Sequence, residues 1–347
     1  MKPLLAYAQL VRLPNTFTAL ADILLGALAT GFLSSRWNWF WGRLFAEDTS
    51  RLATVGQELR SWTVLVCLAV ASTLLYWSGM VWNDYFDLDQ DRLERPNRPL
   101  ASGRVTLRAA FWFACGLMAV GLLLAGLADV LSGQYVRIRG VPPEQVSDAF
   151  EFVIRWRSLP TAAALVMAIF LYDGMLKTTW AGPVAMGLCR FLNILLGLSV
   201  VNLLPPFWGW LLAFIIGTYI AGVTWFARTE ARASNQSILM GAGIVMLVSL
   251  VLALTIPALA LETTPDGEPS RFFPYLLAGF GVYLGLAVVR AIKRPDPKRV
   301  QPAVKRAILG LIILDALMAS AFVGSIGLLL AILLIPGIIL GRWLYST

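Results

Sequence analysis

Nearly uncharged runs of close to twenty residues recur along this chain, near 15–34, 62–82, 108–131, 159–176, 181–201, 206–226, 238–261 and 272–291, and a longer one covers 307–341. About twenty apolar residues carry a helix across the hydrocarbon of a bilayer. Backbone N–H and C=O groups find no water there, so a chain built from such runs folds as a bundle of helices. The runs predict an all-α membrane protein of about nine transmembrane helices, with residues 1–347 forming a single membrane-embedded domain. Asp315 and the small residues from Ala321 to Gly327 interrupt the last run, which is long enough for a ninth span plus a tenth or a re-entrant piece. Only 14% of the residues are charged, against about 25% in a soluble domain.

Numbering the runs in order divides the loops into two alternating sets. With the N-terminus inside, the inner segments hold seventeen Lys and Arg and the outer ones nine, so the excess of positive charge places the N-terminus in the cytoplasm and suggests the plasma (inner) membrane. The basic loop 290–306 then lies against anionic head groups. Two outer loops, 35–61 and 132–158, are long for connections and read as amphipathic caps, for instance "RWNWFWGRLF" at 36–45. No removable signal peptide is evident at the N-terminus. Cys67, Cys115 and Cys189 fall in apolar runs and imply no disulfide framework. There is no histidine, so any acid/base or metal chemistry must use carboxylates.

The charges missing from the runs are concentrated after the second, in "NDYFDLDQDRLERPNRPLASGRV" at 83–105. If that span continues as a helix, side chains advance by about 100° per residue, which puts Asn83, Asp84, Asp87 and Asp91 on one face and Asp89 on the other. Like charges at that spacing repel unless a cation lies among them. Oxygen ligands without His or Cys suit Mg²⁺, which takes one or two carboxylates and completes its shell with water and phosphate. Arg92, Arg95 and Arg98 follow the acids, matched in fork geometry to phosphate, and Pro96 and Pro99 stop the helix among them. Acids and arginines beside a membrane imply a diphosphate bridged by Mg²⁺. A solvated helix end whose acids simply pair with those arginines is the plainer alternative.

"NDYFDLDQD" resembles the first aspartate-rich motif, NDxxDxxxD, of the UbiA superfamily of intramembrane prenyltransferases, and "NRPLASGRV" is similar to the stretch that comes directly after that motif in the family. "LVRLPNTFTAL" at 10–20 and "LYDGMLKTTWAGPVAMG", which carries Lys177, are also similar to that family, over residues 5 to about 325. The resemblance implies a UbiA-like bundle around a lipid-accessible central cavity, where Mg²⁺ helps a polyprenyl diphosphate to ionise and an aromatic or other small acceptor attacks. It implies metal ligation by Asn83, Asp84, Asp87, Asp91 and Glu230, catalysis through Asp87, Asp91, Lys177 and Glu230, and substrate contacts from Arg12, Asn15, Arg92, Arg98, Arg104, Asp173, Arg190, Asn193 and Arg228. Tyr172, Tyr219, Trp225 or Phe226 would face the developing cation. The partners implied are the diphosphate, the acceptor and the bilayer, with no nucleic acid.

One departure stands out. Where the family carries a second motif, DxxxD, this chain reads "WFARTEARAS", with Glu230 for the first Asp and Ser234 for the second. Arg228 and Arg232 flank Glu230 and could supply positive charge in place of a second metal ion; a short cytoplasmic turn with an ordinary ion pair is the alternative. That pattern, with "GLCRFLNILLG", resembles the UbiA-like subgroup called EboC. Arg190 and Asn193, three apart inside the fifth run, read as cavity residues; a structural pair with Asp173 is the alternative. Asp173 itself suits a metal or an i,i+4 partner in Lys177, and either Asp173 or Glu230 would take the acceptor's proton. Asp315 reads as a structural hydrogen-bonding residue. A transporter or a protein that only binds a lipid diphosphate is the rival function. CDP-alcohol phosphotransferases are a poorer match, because "YDGML" shares only Asp-Gly with their DGxxAR.

Overall fold

In a computed structural model, which describes residues 2–32, 51–137, 150–201, 204–228, 234–260 and 269–345, the apolar runs become helices. They are α1 (Lys2–Leu10), α2 (Thr16–Ala29), α3 (Arg51–Phe86), α4 (Leu88–Glu94), α5 (Leu107–Leu131), α6 (Ser158–Leu171), α7 (Gly182–Leu198), α8 (Phe207–Ala227), α9 (Gln236–Ala253), α10 (Ile256–Ala260), α11 (Phe273–Lys293), α12 (Pro297–Val323) and α13 (Leu334–Tyr345). Among the described residues, seven helical segments are long and apolar enough to cross a bilayer, and Leu13–Ala29 and Gly182–Leu198 are shorter apolar helices. The chain is a multi-pass integral membrane protein.

The final run does more than make a ninth span. At Gly324 the backbone takes φ 65 and ψ −152, a conformation open to glycine and closed to most residues. A 3-10 stretch, Gly324–Leu333, then returns alongside α12 and continues into α13. Together these two pieces rise about 38 Å, enough for a tenth crossing. Gly327 makes the return possible, since a Cβ there would lie 2.4 Å from the Ser320 nitrogen. The crossing ends where the chain began: Gln9 Nε2 donates to the Leu344 carbonyl, 3.1 Å away.

The described ends of the loop after α5 are strands where an amphipathic cap was expected at 132–158, and residues 138–149 lie outside the described residues. Gln134–Arg137 and Phe150–Val153 pair as an antiparallel hairpin, while the cap expected at 36–45 lies outside the described residues. Beneath the hairpin, buried Asp129 accepts hydrogen bonds from the backbone N–H groups of Arg157, Ser158 and Leu159 at 3.2, 2.8 and 2.9 Å. One carboxylate therefore satisfies orphan donors at the start of α6 and opposes its dipole.

Helices in lipid gain little from burying apolar surface against each other, so small residues that let backbones touch set the packing. α7 does this on two faces. A Cβ on Gly197 would sit 2.9 Å from the Cα of Ile23 in α2, and one on Gly187 would sit 2.5 Å from the Gly217 carbonyl in α8. Held between α2 and α8, the short α7 carries Arg190 and Asn193 into the middle of the bundle.

Replacing Gly197 with Ala should therefore destabilise the protein by about 1–3 kcal/mol through overpacking. A Cβ at Gly116 meets nothing within 4 Å, and Gly116→Ala should leave the melting temperature in detergent unchanged or raised.

Candidate functional site

The acidic face survives the helix it was read from. α3 ends at Phe86 and α4 begins at Leu88, yet Asp87 N donates to Asn83 O and Asp91 N to Asp87 O at 3.0 and 2.8 Å, so the helical ladder passes through the join. Asn83, Asp84 and Asp91 are buried, and Asp87 is half-buried, whereas the Asp89 side chain points to solvent and pairs only with Arg92 at 3.2 Å.

Each acid on the face has a partner brought from elsewhere in the chain. Arg12 donates to Asn83 Oδ1 and to Asp84 Oδ1, both at 3.1 Å. Arg98 reaches Asp84 Oδ1 at 3.1 Å and Asp91 Oδ2 at 2.5 Å. Lys177 pairs with Asp87, and Asn83 Nδ2 donates to Asp173 Oδ1 at 2.9 Å. Arg12 has φ 51 and ψ 51, the left-handed region, and is the one non-glycine residue with positive φ among the described residues. That conformation costs a side-chain-bearing residue roughly 1–3 kcal/mol and persists where its surroundings impose it. Here it turns the chain from α1 toward α2 with the guanidinium directed at the α3 acids.

The expected Asp173–Lys177 pair does not form. After α6 the chain makes a π turn, Tyr172–Leu176, and Lys177 N donates to the Tyr172 carbonyl at 2.9 Å. The wider turn rotates Lys177 away from Asp173, leaving the amine to Asp87. Arg228, at the end of α8, donates to the carbonyls of Lys177 and Thr179 and so braces the segment that carries the lysine. Glu230 and Arg232 lie outside the described residues.

These side chains open onto a cavity of about 680 Å³. Asn83, Asp87, Asp91, Asp173, Arg12, Asn15, Arg98, Lys177 and Arg228 line its mouth, with Leu165, Ile169, Met186, Ile220, Val223 and Leu311 among its apolar walls. Arg190 and Asn193 line its deep end, away from Asp173: Arg190 pairs with Asp22 at 2.9 Å, and Asn193 Nδ2 donates to the same carboxylate at 2.7 Å. Asp84 is held behind the wall between its two arginines. Arg92 and Arg104 are not brought to the cavity; Arg92 pairs outward, and Arg104 donates to Gln9 Oε1 at 2.8 Å and to the Asn97 carbonyl at 2.6 Å, fixing the loop after the acids to α1. Arg95 faces the cavity instead.

Of the four aromatic residues singled out from the sequence, only Tyr172 lines the cavity. Tyr219 is buried with its hydroxyl on the Ala307 carbonyl at 2.9 Å, Phe226 is in the core, and Trp225 packs against Gly241. Tyr76, which the sequence did not single out, lines the cavity as well. Asp315 meets a neighbouring helix as expected, but its partner is another acid: its carboxyl is a side-chain hydrogen-bond partner of Asp22 on α2, and no other group among the described residues donates to its buried oxygens. Asp22 was also missed; a lone carboxylate inside an otherwise apolar run was the available signal.

The donor chemistry at the mouth fits a hard divalent cation. Asn83, Asp87, Asp91 and Asp173 offer only oxygen, all on the cavity wall. Among the described residues no three acids or thiols are gathered tightly enough to hold an ion by themselves. Such a set suits Mg²⁺ arriving with phosphate oxygens as further ligands.

Replacing Arg12 with Gly should relieve the left-handed strain while removing the guanidinium. The melting temperature should stay within a few degrees of wild type, and binding of inorganic diphosphate with Mg²⁺ at the cavity mouth should weaken at least tenfold, as checked by thermal unfolding and calorimetric titration.

Residues 44–309 match the UbiA prenyltransferase family. A digeranylgeranylglyceryl phosphate synthase from Ignicoccus hospitalis is 26% identical over 262 residues, covering 74% of this chain and 78% of that protein. One of the same name from Methanopyrus kandleri is 28% identical over 253 residues, covering 70% and 83%. Among solved structures, a UbiA homologue from Archaeoglobus fulgidus bound to GPP and Mg²⁺ superposes with a TM-score of 0.57 at 12% identity, covering 94% of this chain and 99% of that one. The chain belongs to the UbiA prenyltransferase family.

Proposed function

We propose that the protein transfers the prenyl group of a prenyl diphosphate to a hydroxyl of a glycerophosphate-type acceptor inside the membrane, with the whole chain acting as one domain and the cavity mouth facing the cytoplasm. The observation that carries this reading is a single cavity with acids, arginines and a lysine at its mouth and apolar walls beyond. A molecule with a diphosphate head and a hydrocarbon tail is complementary to both halves. The acceptor class is taken from the names of the relatives from Ignicoccus hospitalis and Methanopyrus kandleri, in place of the aromatic acceptor implied by the sequence motif alone.

Arg12, Arg95, Arg98, Lys177 and Arg228 would bind the phosphate oxygens, and Asn83, Asp87 and Asp91 would hold Mg²⁺. When bound, the ion supplies Lewis-acid neutralisation of the leaving diphosphate. The allylic carbon–oxygen bond breaks with its electron pair leaving on the diphosphate. Positive charge stays on the prenyl carbon, near the face of Tyr172. The acceptor oxygen forms the new carbon–oxygen bond and gives up its proton, which Asp173, on the wall beside Asn83, takes in a chain without histidine. Basic side chains pre-placed around the departing charge lower the barrier because they need no reorganisation at the moment of cleavage.

Purified protein should release diphosphate from geranylgeranyl diphosphate only with Mg²⁺, and Asp87→Asn should lower the rate on the order of 10²-fold or more. An ether product should form with geranylgeranylglyceryl phosphate and not with 4-hydroxybenzoate. Folded protein that binds diphosphates without releasing any would favour the binding-only alternative.

A further inference from the structure

The turn that carries Arg12 is tied to helices far from it in sequence. Arg12 N donates to the Gln9 carbonyl at 3.1 Å and Asn15 N to the Arg12 carbonyl at 2.9 Å, so α1 ends on one side of the residue and a 3-10 turn, Leu13–Asn15, starts on the other. Past the turn, the start of α2 is fixed to α3, where Trp77 Nε1 donates to Thr16 Oγ1 at 2.8 Å. Pro14, in the middle of the turn, is buried, and the last crossing of the membrane lies against it.

α13 meets the turn with one face. Gly337, Gly341 and Leu344 are spaced i, i+4 and i+7, one side of a helix. Gly337 and Leu344 are buried, whereas Ile335, Ile338, Ile339 and Trp343 on the other sides are exposed, as side chains facing lipid are. A Cβ on Gly337 would lie 3.2 Å from the Pro14 carbonyl oxygen. Glycine weakens a helix interior, and here its gain is that backbone can approach backbone. Gly341 stands off, since a Cβ there would meet the Pro14 Cβ at 3.8 Å, ordinary contact. At the end of α13 the Leu344 carbonyl takes the amide of Gln9, three residues before Arg12. The crossing thus holds the chain on both sides of the strained residue.

We propose that Gly337 and the Leu344 carbonyl make the last crossing a positioning element for the mouth, holding the turn from Gln9 to Asn15 in the one shape that aims the Arg12 guanidinium at Asn83 and Asp84. The proposal rests on the anion-binding reading of the mouth. The hydrogen bonds from Arg12 to Asn83 and Asp84 cannot hold the backbone by themselves. An arriving diphosphate competes for the same guanidinium, and a left-handed backbone held only by those bonds would relax as they exchange. Gly337 and Leu344 are not on the cavity wall, so their contacts persist through the exchange. They act on the ligand only through Arg12.

The test is calorimetric titration of inorganic diphosphate with Mg²⁺ into the full-length protein in detergent, run as a double-mutant cycle. Gly337→Val should weaken binding at least fivefold. Gly337→Ala asks Pro14 to yield by only a few tenths of an ångström; it should weaken binding less and in the same direction, a second reading if the valine variant does not fold. Gly341→Ala, on the same face at an ordinary contact distance, should bind as wild type does. In the Arg12→Gly background glycine takes the left-handed region freely and no guanidinium is left to aim, so neither Gly337 variant should weaken binding further. Phosphorus NMR of the diphosphate reads that background where affinity is too low for calorimetry. Equal weakening with and without Arg12 would overturn the positioning role while leaving the mouth intact, as would folded Gly337 variants that bind like wild type. Failure of wild type to bind diphosphate would overturn the anion-binding reading and this proposal with it.

Discussion

Neutralising the carboxylates where α3 leaves the membrane is the constraint around which the cavity mouth is built. Asp84 and Asp91 are almost wholly buried, and buried carboxylates at helical spacing are tolerated only with cations beside them. The left-handed Arg12, the loop that returns Arg98, and the π turn that frees Lys177 for Asp87 all meet that demand. So does the link from the end of the chain: Gln9 takes the Leu344 carbonyl with its amide and Arg104 with its oxygen, joining both termini to the loop after the acids.

What could be read from the sequence was periodic or local. The apolar runs give the helices, and the spacing of Asn83, Asp84, Asp87 and Asp91 gives their common face, with Asp89 on the other side. Both come from the geometry of a single helix. What escaped depended on long-range contacts or on a departure from regular geometry. Arg190 and Asp22 are 168 residues apart, and nothing in either local sequence ties one to the other. Lys177 and Asp173 have the spacing of an α-helical pair, but the backbone there is not α. Tyr219 and Phe226 had the right chemistry for a cation, but packing of α8 against its neighbours turned them into the core. Arg95, not Arg92, faces the cavity because the helix ends at Glu94 and the direction of the next residues is set by the loop.

The two ends of the cavity treat charge in opposite ways. At the mouth, cations are held by acids that a metal ion could also use; under the proposed function a diphosphate would draw Arg12, Arg98 and Lys177 while a divalent ion would take the oxygens they release. Between α2 and α7, Arg190, Asp22, Thr18 and Asn193 are locked to one another, and neither Asp22 nor Asp315 lines the cavity.

The central claim is that the acids at the mouth are occupied by the protein's own cations until a diphosphate draws those away, so metal and diphosphate bind as a coupled pair. Calorimetric titration of Mg²⁺ into the protein, with and without a saturating prenyl thiolodiphosphate, tests it most directly. The account predicts Mg²⁺ affinity at least tenfold higher when the diphosphate is present. Equal Mg²⁺ affinity in its absence would contradict it, because the ion would then have displaced Lys177 and Arg98 without help.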